Sequence, residues 1–109
     1  NLSDVLVGAR MVQLNDEVVP HIMPFVLDAK IDRLSFIMAM ENSGIQCGIH
    51  YYPNHCLNYY SEIKATSLKV TDRLSDKLFS MPMHVDLTEG EIDYVCDELI
   101  NNLAMFANA

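Results

Sequence analysis

Residues 44–60, GIQCGIHYYPNHCLNYY, decide how the chain is organised. The stretch begins with an apolar run at 45–49, which is typical of a strand. It passes directly into a polar and aromatic run around Pro53, which lacks a backbone N–H and favours an extended conformation in Tyr52. The sequence therefore predicts a strand that ends in a stiff loop bearing imidazole, phenol and thiol groups. Binding residues are often carried on such loops.

Two further strands are predicted, at residues 23–27 and 79–84. Each contains a proline, which removes a donor from the ladder and so favours a sheet edge or an irregular strand end. A short helical turn is predicted at 54–62, and Thr71 is expected to cap a short helix after it. Strands and helices in this order predict an α+β fold, in which helices cover a small, mostly antiparallel sheet.

Two longer helices complete the expected fold. The first is predicted at 28–43, with Asp28 as its N-cap and Gly44 at the position where a glycine commonly ends a helix. The second begins at Thr88, because Thr88 and Glu91 have the spacing of a capping box. Its apolar stripe is expected to face the core. The members of that stripe are Ile92, Val95, Cys96, Leu99, Leu103 and Phe106.

The first of these helices is apolar on more than one side. Ile31, Leu34, Ile37 and Met38 form one stripe, and Phe36 and Met40 lie off it. One explanation is a thick core around the helix, and the other is a face that meets a second domain or subunit. The sequence leaves both open.

Composition excludes several classes of protein. The chain has 109 residues, which suits one small domain, and its formal net charge is -8. A nucleic-acid partner is not expected, because phosphate binding needs a basic surface. A membrane span is not expected either, because no apolar run reaches about 20 residues. Three cysteines at unrelated spacings favour a reducing compartment, and hence the cytoplasm.

Two runs of the sequence together resemble a known family. Residues 44–55, GIQCGIHYYPNH, follow the pattern G-I-x-T-G-I-H-Y-x-P-x-H of the DegT/DnrJ/StrS sugar aminotransferases, with Cys47 in place of the threonine. Residues 78–88, LFSMPMHVDLT, follow a second run of that family at about its usual spacing. The chain therefore resembles the C-terminal small domain of this family of fold type I, pyridoxal-phosphate-dependent enzymes. Lys69 stands where the family usually has proline, which suggests a looser connection.

The resemblance implies a function and a set of site residues. Residues 1–17 would connect the small domain, 18–109, to an N-terminal large domain that holds pyridoxal phosphate. The parent enzyme would transfer an amino group from an amino-acid donor to a keto-sugar carried on a nucleotide, and would work as a homodimer. His50, Tyr51 and His55 would contact the nucleotide-sugar, because imidazole and phenol groups suit sugar hydroxyls and phosphate oxygens. His84, which the family shares, is expected to have a structural role at a strand end.

No residue of the chain is expected to be catalytic or to hold the cofactor. The four lysines are Lys30, Lys64, Lys69 and Lys77, and none lies in the serine- and glycine-rich context that the family uses for its Schiff-base lysine. The 109 residues alone are therefore predicted to be inactive. Because the domain is acidic, the basic groups that meet a diphosphate should come from the large domain or a second subunit.

A zinc site is the alternative for the same stretch. Cys47, His50, His55 and Cys56 are all possible ligands, but their spacing fits no usual zinc pattern and Cys47 is expected to face the core. No metal is therefore predicted.

Two other functions remain open at this stage. One is a sugar dehydratase relative that uses the same cofactor with a histidine in place of the lysine. The other is a stand-alone α+β binding module.

Overall fold

The computed structural model describes residues 2, 5–63 and 67–109. Over these residues, three strands form one antiparallel sheet in the order β1–β2–β3. The strands are β1 Ala9–Met11, β2 Met23–Leu27 and β3 Leu78–Met81. The α-helices are α1 Arg33–Asn42, α2 Lys69–Leu74 and α3 Glu89–Ala107. Short 3-10 turns occupy Asn54–Cys56 and Asn58–Tyr60. The predicted α+β class with a small antiparallel sheet is confirmed.

The core lies between the sheet and helices α1 and α3. Phe25 of β2 and Phe79 of β3 are opposite each other in the antiparallel register, and their rings stack at 5.5 Å. Phe36 of α1 meets Phe79 edge-on at 5.1 Å and Phe106 of α3 at 5.7 Å. Aromatic pairs of this kind add to the stabilisation that burial alone provides. Four rings thus join two strands and two helices.

Helix α3 begins as the sequence predicts. Thr88 Oγ1 accepts a hydrogen bond from the Glu91 backbone N–H at 3.3 Å, and the Glu91 carboxylate accepts one from the Thr88 N–H at 2.8 Å. Leu99 and Leu103 of the predicted stripe are fully buried. Within the described residues, no helix has the length and apolar character needed to cross a membrane.

Helix α1 starts later than predicted. Its N-cap is Asp32, whose carboxylate accepts from the backbone N–H of Ser35 at 2.8 Å, and not Asp28. The predicted C-terminal stop is correct, because Gly44 has a φ of 74°, in the left-handed region that favours glycine.

The predicted apolar stripe of α1 is correct in part. Ile31 and Ile37 are buried, whereas Leu34 and Met38 are 63% and 64% exposed. Phe36 and Met40, which were placed off the stripe, are buried with Ile37. Phe36 and Ile37 lie four and three positions before Met40, the spacings of one helix face, and that face packs on the sheet and on α3.

Three other boundaries are corrected. Residues 45–49 are not a strand, because only Gly48 pairs with β3, through hydrogen bonds to and from Ser80 at 2.9 and 2.8 Å. Helix α2 starts at Lys69, so Thr71 lies inside it and does not cap it. β3 ends at Met81 because Pro82 cannot donate to a ladder.

The Thr88 cap gives a testable stability difference. Thr88→Ala should lower the free energy of unfolding by about 1 kcal/mol, the usual effect of removing an N-cap hydroxyl. Thr71→Ala is the matched control, and we expect no comparable loss because Thr71 caps nothing. Urea unfolding of the 109-residue chain measures both, and equal losses would contradict the assignment of the cap.

The same cap predicts a pH dependence. The hydrogen bonds from Thr88 lower the pKa of the Glu91 carboxyl from its ordinary 4.5. A carboxyl with a lowered folded-state pKa stabilises the fold above its unfolded pKa, and that contribution is lost as pH falls through the folded pKa. Thr88→Ala keeps the backbone hydrogen bond to the Glu91 carboxylate, the larger cause, but loses the one from the hydroxyl, so the difference between wild type and Thr88→Ala should shrink below about pH 4.5. A difference that grows on acidification would contradict this account.

Candidate functional site

His50 lies in a cleft beside β3. The cleft has a volume of about 580 Å³, and its described lining includes His21, His84, Gln46 and Ser80 in addition to His50. Three of the four histidines of the chain thus line one cleft. From the sequence we predicted a structural role for His84 and did not select His21 as a site residue, because neither is near His50 along the chain.

The imidazole of His50 depends on the small size of Gly48. A Cβ atom at position 48 would overlap His50 Cε1 and would lie 3.0 Å from Nδ1, closer than such atoms normally approach. Among the described residues, Nδ1 of His50 is buried and has no hydrogen-bond partner. A buried polar atom normally has a partner, and none of the described residues supplies one to this nitrogen.

Tyr51 points away from the core. Its side chain is 70% exposed, and its ring meets the His50 ring edge-on with centroids 5.0 Å apart. The phenol is therefore free to contact a molecule outside this chain.

His55 belongs to a different groove. The groove has a volume of about 490 Å³ and lies where the 3-10 turns meet α2. Its described lining consists of Asn54, His55, Tyr60, Ile63, Leu68 and Thr71. His55 Nε2 lies 2.7 Å from Asp72 Oδ1 of α2. His50 and His55 therefore line two different clefts whose described linings share no residue, and Tyr51 is in neither lining.

Asp72 is the residue that sequence reasoning missed. It lies 17 positions after His55, beyond two turns and a segment at 64–66 that is outside the described residues. No local signal links an exposed aspartate in a short helix to a distant histidine. Only the tertiary arrangement brings them together.

Two of the three thiols, those of Cys47 and Cys96, are poorly suited to nucleophilic or ligand chemistry. Burial, and then the nearby Glu41, raises the pKa of Cys47 to about 11. Burial, and then Asp93 and Asp97, raises the pKa of Cys96. Over the described residues, no group of three or more histidine, cysteine, aspartate or glutamate side chains is arranged to hold a metal ion. The structure does not bring the four candidate zinc ligands into one cluster.

Two lysines have structural contacts. Lys30 Nζ donates to the carbonyl oxygen of Ala107 at 2.6 Å, and Lys77 Nζ donates to that of Ile31 at 2.9 Å. Lys69 is exposed at the start of α2, and Lys64 lies outside the described residues. None of the three described lysines lies in a pocket that could enclose a Schiff base.

A family model for the DegT/DnrJ/EryC1/StrS aminotransferases matches residues 2–100. The match covers most of the chain, and the chain belongs to this family. The resemblance noted in the sequence is thereby confirmed.

Solved structures of aminotransferases share the fold. The aminotransferase TlmJ of Streptoalloteichus hindustanus superposes with a TM-score of 0.81 at 20% identity, over 95% of this chain and 28% of its own. A sugar aminotransferase of Micromonospora echinospora superposes with a TM-score of 0.75 at 19% identity, over 88% of this chain and 26% of its own. PseC of Helicobacter pylori, an aminotransferase involved in pseudoaminic acid biosynthesis, superposes with a TM-score of 0.72 at 17% identity, over 78% of this chain and 24% of its own. The chain thus spans about a quarter of the length of these proteins.

The environment of the thiols predicts their reactivity. At pH 8, iodoacetamide should alkylate the exposed Cys56 of the folded chain and leave Cys47 unmodified. A pKa raised from 9.0 to about 11 leaves roughly a hundredfold less thiolate at Cys47, and burial blocks access as well. Peptide mass spectrometry locates the label, and the control in 8 M urea, a strongly denaturing amount, should label both residues. Equal labelling of the folded chain would show that Cys47 is accessible.

Proposed function

We propose that the chain is the C-terminal small domain of a pyridoxal-phosphate-dependent nucleotide-sugar aminotransferase. Residues 1–17 would lead in from a large domain, and 18–109 would form the small domain. The parent would move an amino group from an amino-acid donor to a keto-sugar. Family membership and the shared fold support this proposal, as does the fraction of the related structures that the chain spans.

The described residues of this chain do not fit the cofactor itself. Lys30 and Lys77 are engaged with backbone carbonyl groups, and Lys69 is exposed. The Schiff-base lysine would therefore come from the rest of the parent. When bound there, pyridoxal phosphate supplies the electron sink for amino transfer. This domain would contribute recognition of the substrate.

The observation that carries the recognition role is the unpartnered nitrogen of His50. The His50 ring lines the cleft, and because no described residue bonds to its Nδ1, the protein does not set its tautomer and the ring can donate to or accept from a ligand. Tyr51 extends from the same point of the loop, and its exposed ring can stack on a sugar or a base. We assign His50, Tyr51 and His55 to the nucleotide-sugar.

The electrostatics of the domain limit that role. The chain carries a net charge of -8, and the described lining of the His50 cleft contains neither lysine nor arginine. The two negative phosphates of a nucleotide-sugar would therefore be met mainly by basic groups from elsewhere in the parent. The histidines would provide directional hydrogen bonds.

The assembly of the parent follows the same proposal. We expect a cytoplasmic homodimer, as in the family. Leu34 and Met38 form an exposed apolar pair on α1, which a second domain or subunit could cover.

The isolated chain should not form a specific adduct with pyridoxal phosphate. The 109-residue chain is mixed with the cofactor, reduced with borohydride and mapped by mass spectrometry. We expect weak labelling spread over the lysines, because Lys30 and Lys77 are engaged and Lys69 has no enclosing pocket. Stoichiometric labelling of one lysine would contradict the division of roles between the two domains.

The recognition role is tested in the complete enzyme with Gly48→Ala, Tyr51→Phe and His55→Ala. Gly48→Ala displaces the His50 ring without removing it. Loss of one substrate hydrogen bond typically costs about 0.5–1.5 kcal/mol, or more with a charged oxygen. We expect kcat/KM for the nucleotide-sugar to fall by several-fold to roughly a hundredfold.

The half-reaction with the amino donor and the cofactor spectrum should stay near wild type. Gly90→Ala is the control for glycine substitution, because a Cβ there would meet no atom within 4 Å. If a loop variant loses the cofactor, or slows the donor half-reaction equally, the loop belongs to the cofactor site.

A further inference from the structure

We propose that Asp72 is a positioning residue that sets the tautomer of His55, which lines the groove at α2, so that the free ring nitrogen is a hydrogen-bond acceptor. The proposal starts from the 2.7 Å contact between His55 Nε2 and Asp72 Oδ1. An ionised carboxylate only accepts hydrogen bonds, so Nε2 must carry the proton that is shared between them. In the neutral ring, Nδ1 then has no proton and can only accept.

The contact bridges two separate parts of the chain. His55 belongs to the 3-10 turn Asn54–Cys56, and Asp72 belongs to α2. The side chain of His55 is 23% exposed, whereas that of Asp72 is 56% exposed. Because exposed pairs contribute little to stability, the role of Asp72 is to orient the ring and select its tautomer rather than to hold the fold together.

The chemistry of the groove indicates its ligand. Two apolar side chains, Ile63 and Leu68, lie with the amide of Asn54 and the hydroxyl groups of Tyr60 and Thr71. This combination suits an uncharged, hydroxyl-bearing ring, whose C–H face packs on the apolar side chains while its hydroxyls bond to the polar ones. A hydroxyl of that ring would donate to Nδ1 of His55.

This assignment rests on the proposed function and makes it more specific. His55 would recognise a hydroxyl of the sugar portion of the substrate, and not a phosphate oxygen. A phosphate oxygen needs a donor, and the Nδ1 atom of a ring held by Asp72 cannot donate while the ring is neutral.

Nuclear magnetic resonance of the 15N-labelled 109-residue chain tests the tautomer without any substrate. At pH 8, above the ordinary histidine pKa of about 6.5, long-range 15N–1H correlations report which ring nitrogen is protonated. We expect protonated Nε2 and unprotonated Nδ1 in wild type. In Asp72→Ala the shifts should move toward the average of a tautomer mixture. A wild-type ring protonated at Nδ1, or identical shifts in the variant, would overturn the proposal.

Kinetics of the complete enzyme test the consequence. Asp72→Asn keeps the shape of the side chain but removes the obligate acceptor, and its amide can donate to Nε2 and favour the opposite tautomer. We expect kcat/KM for the nucleotide-sugar to fall several-fold, mainly through KM, with the donor half-reaction unchanged. Asp72→Glu, which retains a carboxylate, should recover part of the loss. An Asp72→Asn enzyme with wild-type kcat/KM would overturn the proposal.

Two controls separate this proposal from the one on which it rests. Asp76→Asn removes the same charge from an exposed aspartate just beyond α2 and should leave kinetics unchanged. An equal loss in Asp76→Asn would mean a general charge effect and would overturn the positioning role. If His55→Ala leaves kinetics unchanged, the substrate role of His55 fails. A tautomer that is insensitive to Asp72 overturns the positioning role alone.

Discussion

The stacking of Phe79 on Phe25, together with its edge contact to Phe36, is the constraint on which the rest of the structure depends. Phe79 is 1% exposed, and its two partners are fully buried. These contacts join residues that are more than 40 positions apart, so they bring β3 against the rest of the core. The next residue, Ser80, is then held where its backbone can pair with Gly48.

That pairing directs the site loop. Gly44 ends α1 with a positive φ, and the buried side chains of Ile45 and Cys47 then hold the chain against the core. The Gly48 bridge to Ser80 ties the backbone to β3, and the space above Gly48 accepts the His50 ring. The aromatic core thus determines where the imidazole lies.

Local signals in the sequence were sufficient for some elements and insufficient for others. The capping box at Thr88 and the stop at Gly44 act over a few residues, and both were predicted correctly. The start of α1 was predicted wrongly, because Asp28 and Asp32 offer the same capping chemistry and the local sequence does not select between them. Residues 45–47 alternate between buried and exposed, but Ile49 is exposed, and strand formation needs a partner that the sequence does not reveal. Of residues 45–49, only Gly48 pairs with β3. The candidate site shows the same limit, since the local motif indicated His50 and His55 but not their neighbours.

Those neighbours give two histidines of one loop different chemical properties. The chain has 15 acidic residues against 7 basic ones, so a carboxylate beside an imidazole is the ordinary outcome, and His55 has one in Asp72. The described lining of the His50 cleft contains other imidazoles, an amide and a hydroxyl, and no carboxylate. Under the roles proposed above, His50 could adopt the tautomer that a ligand requires, whereas Asp72 would select the tautomer of His55 before a ligand binds. Pro53 and the 3-10 turn after it separate the two rings, so one short loop would present an adaptable hydrogen-bonding group in one cleft and an acceptor of set tautomer in the other.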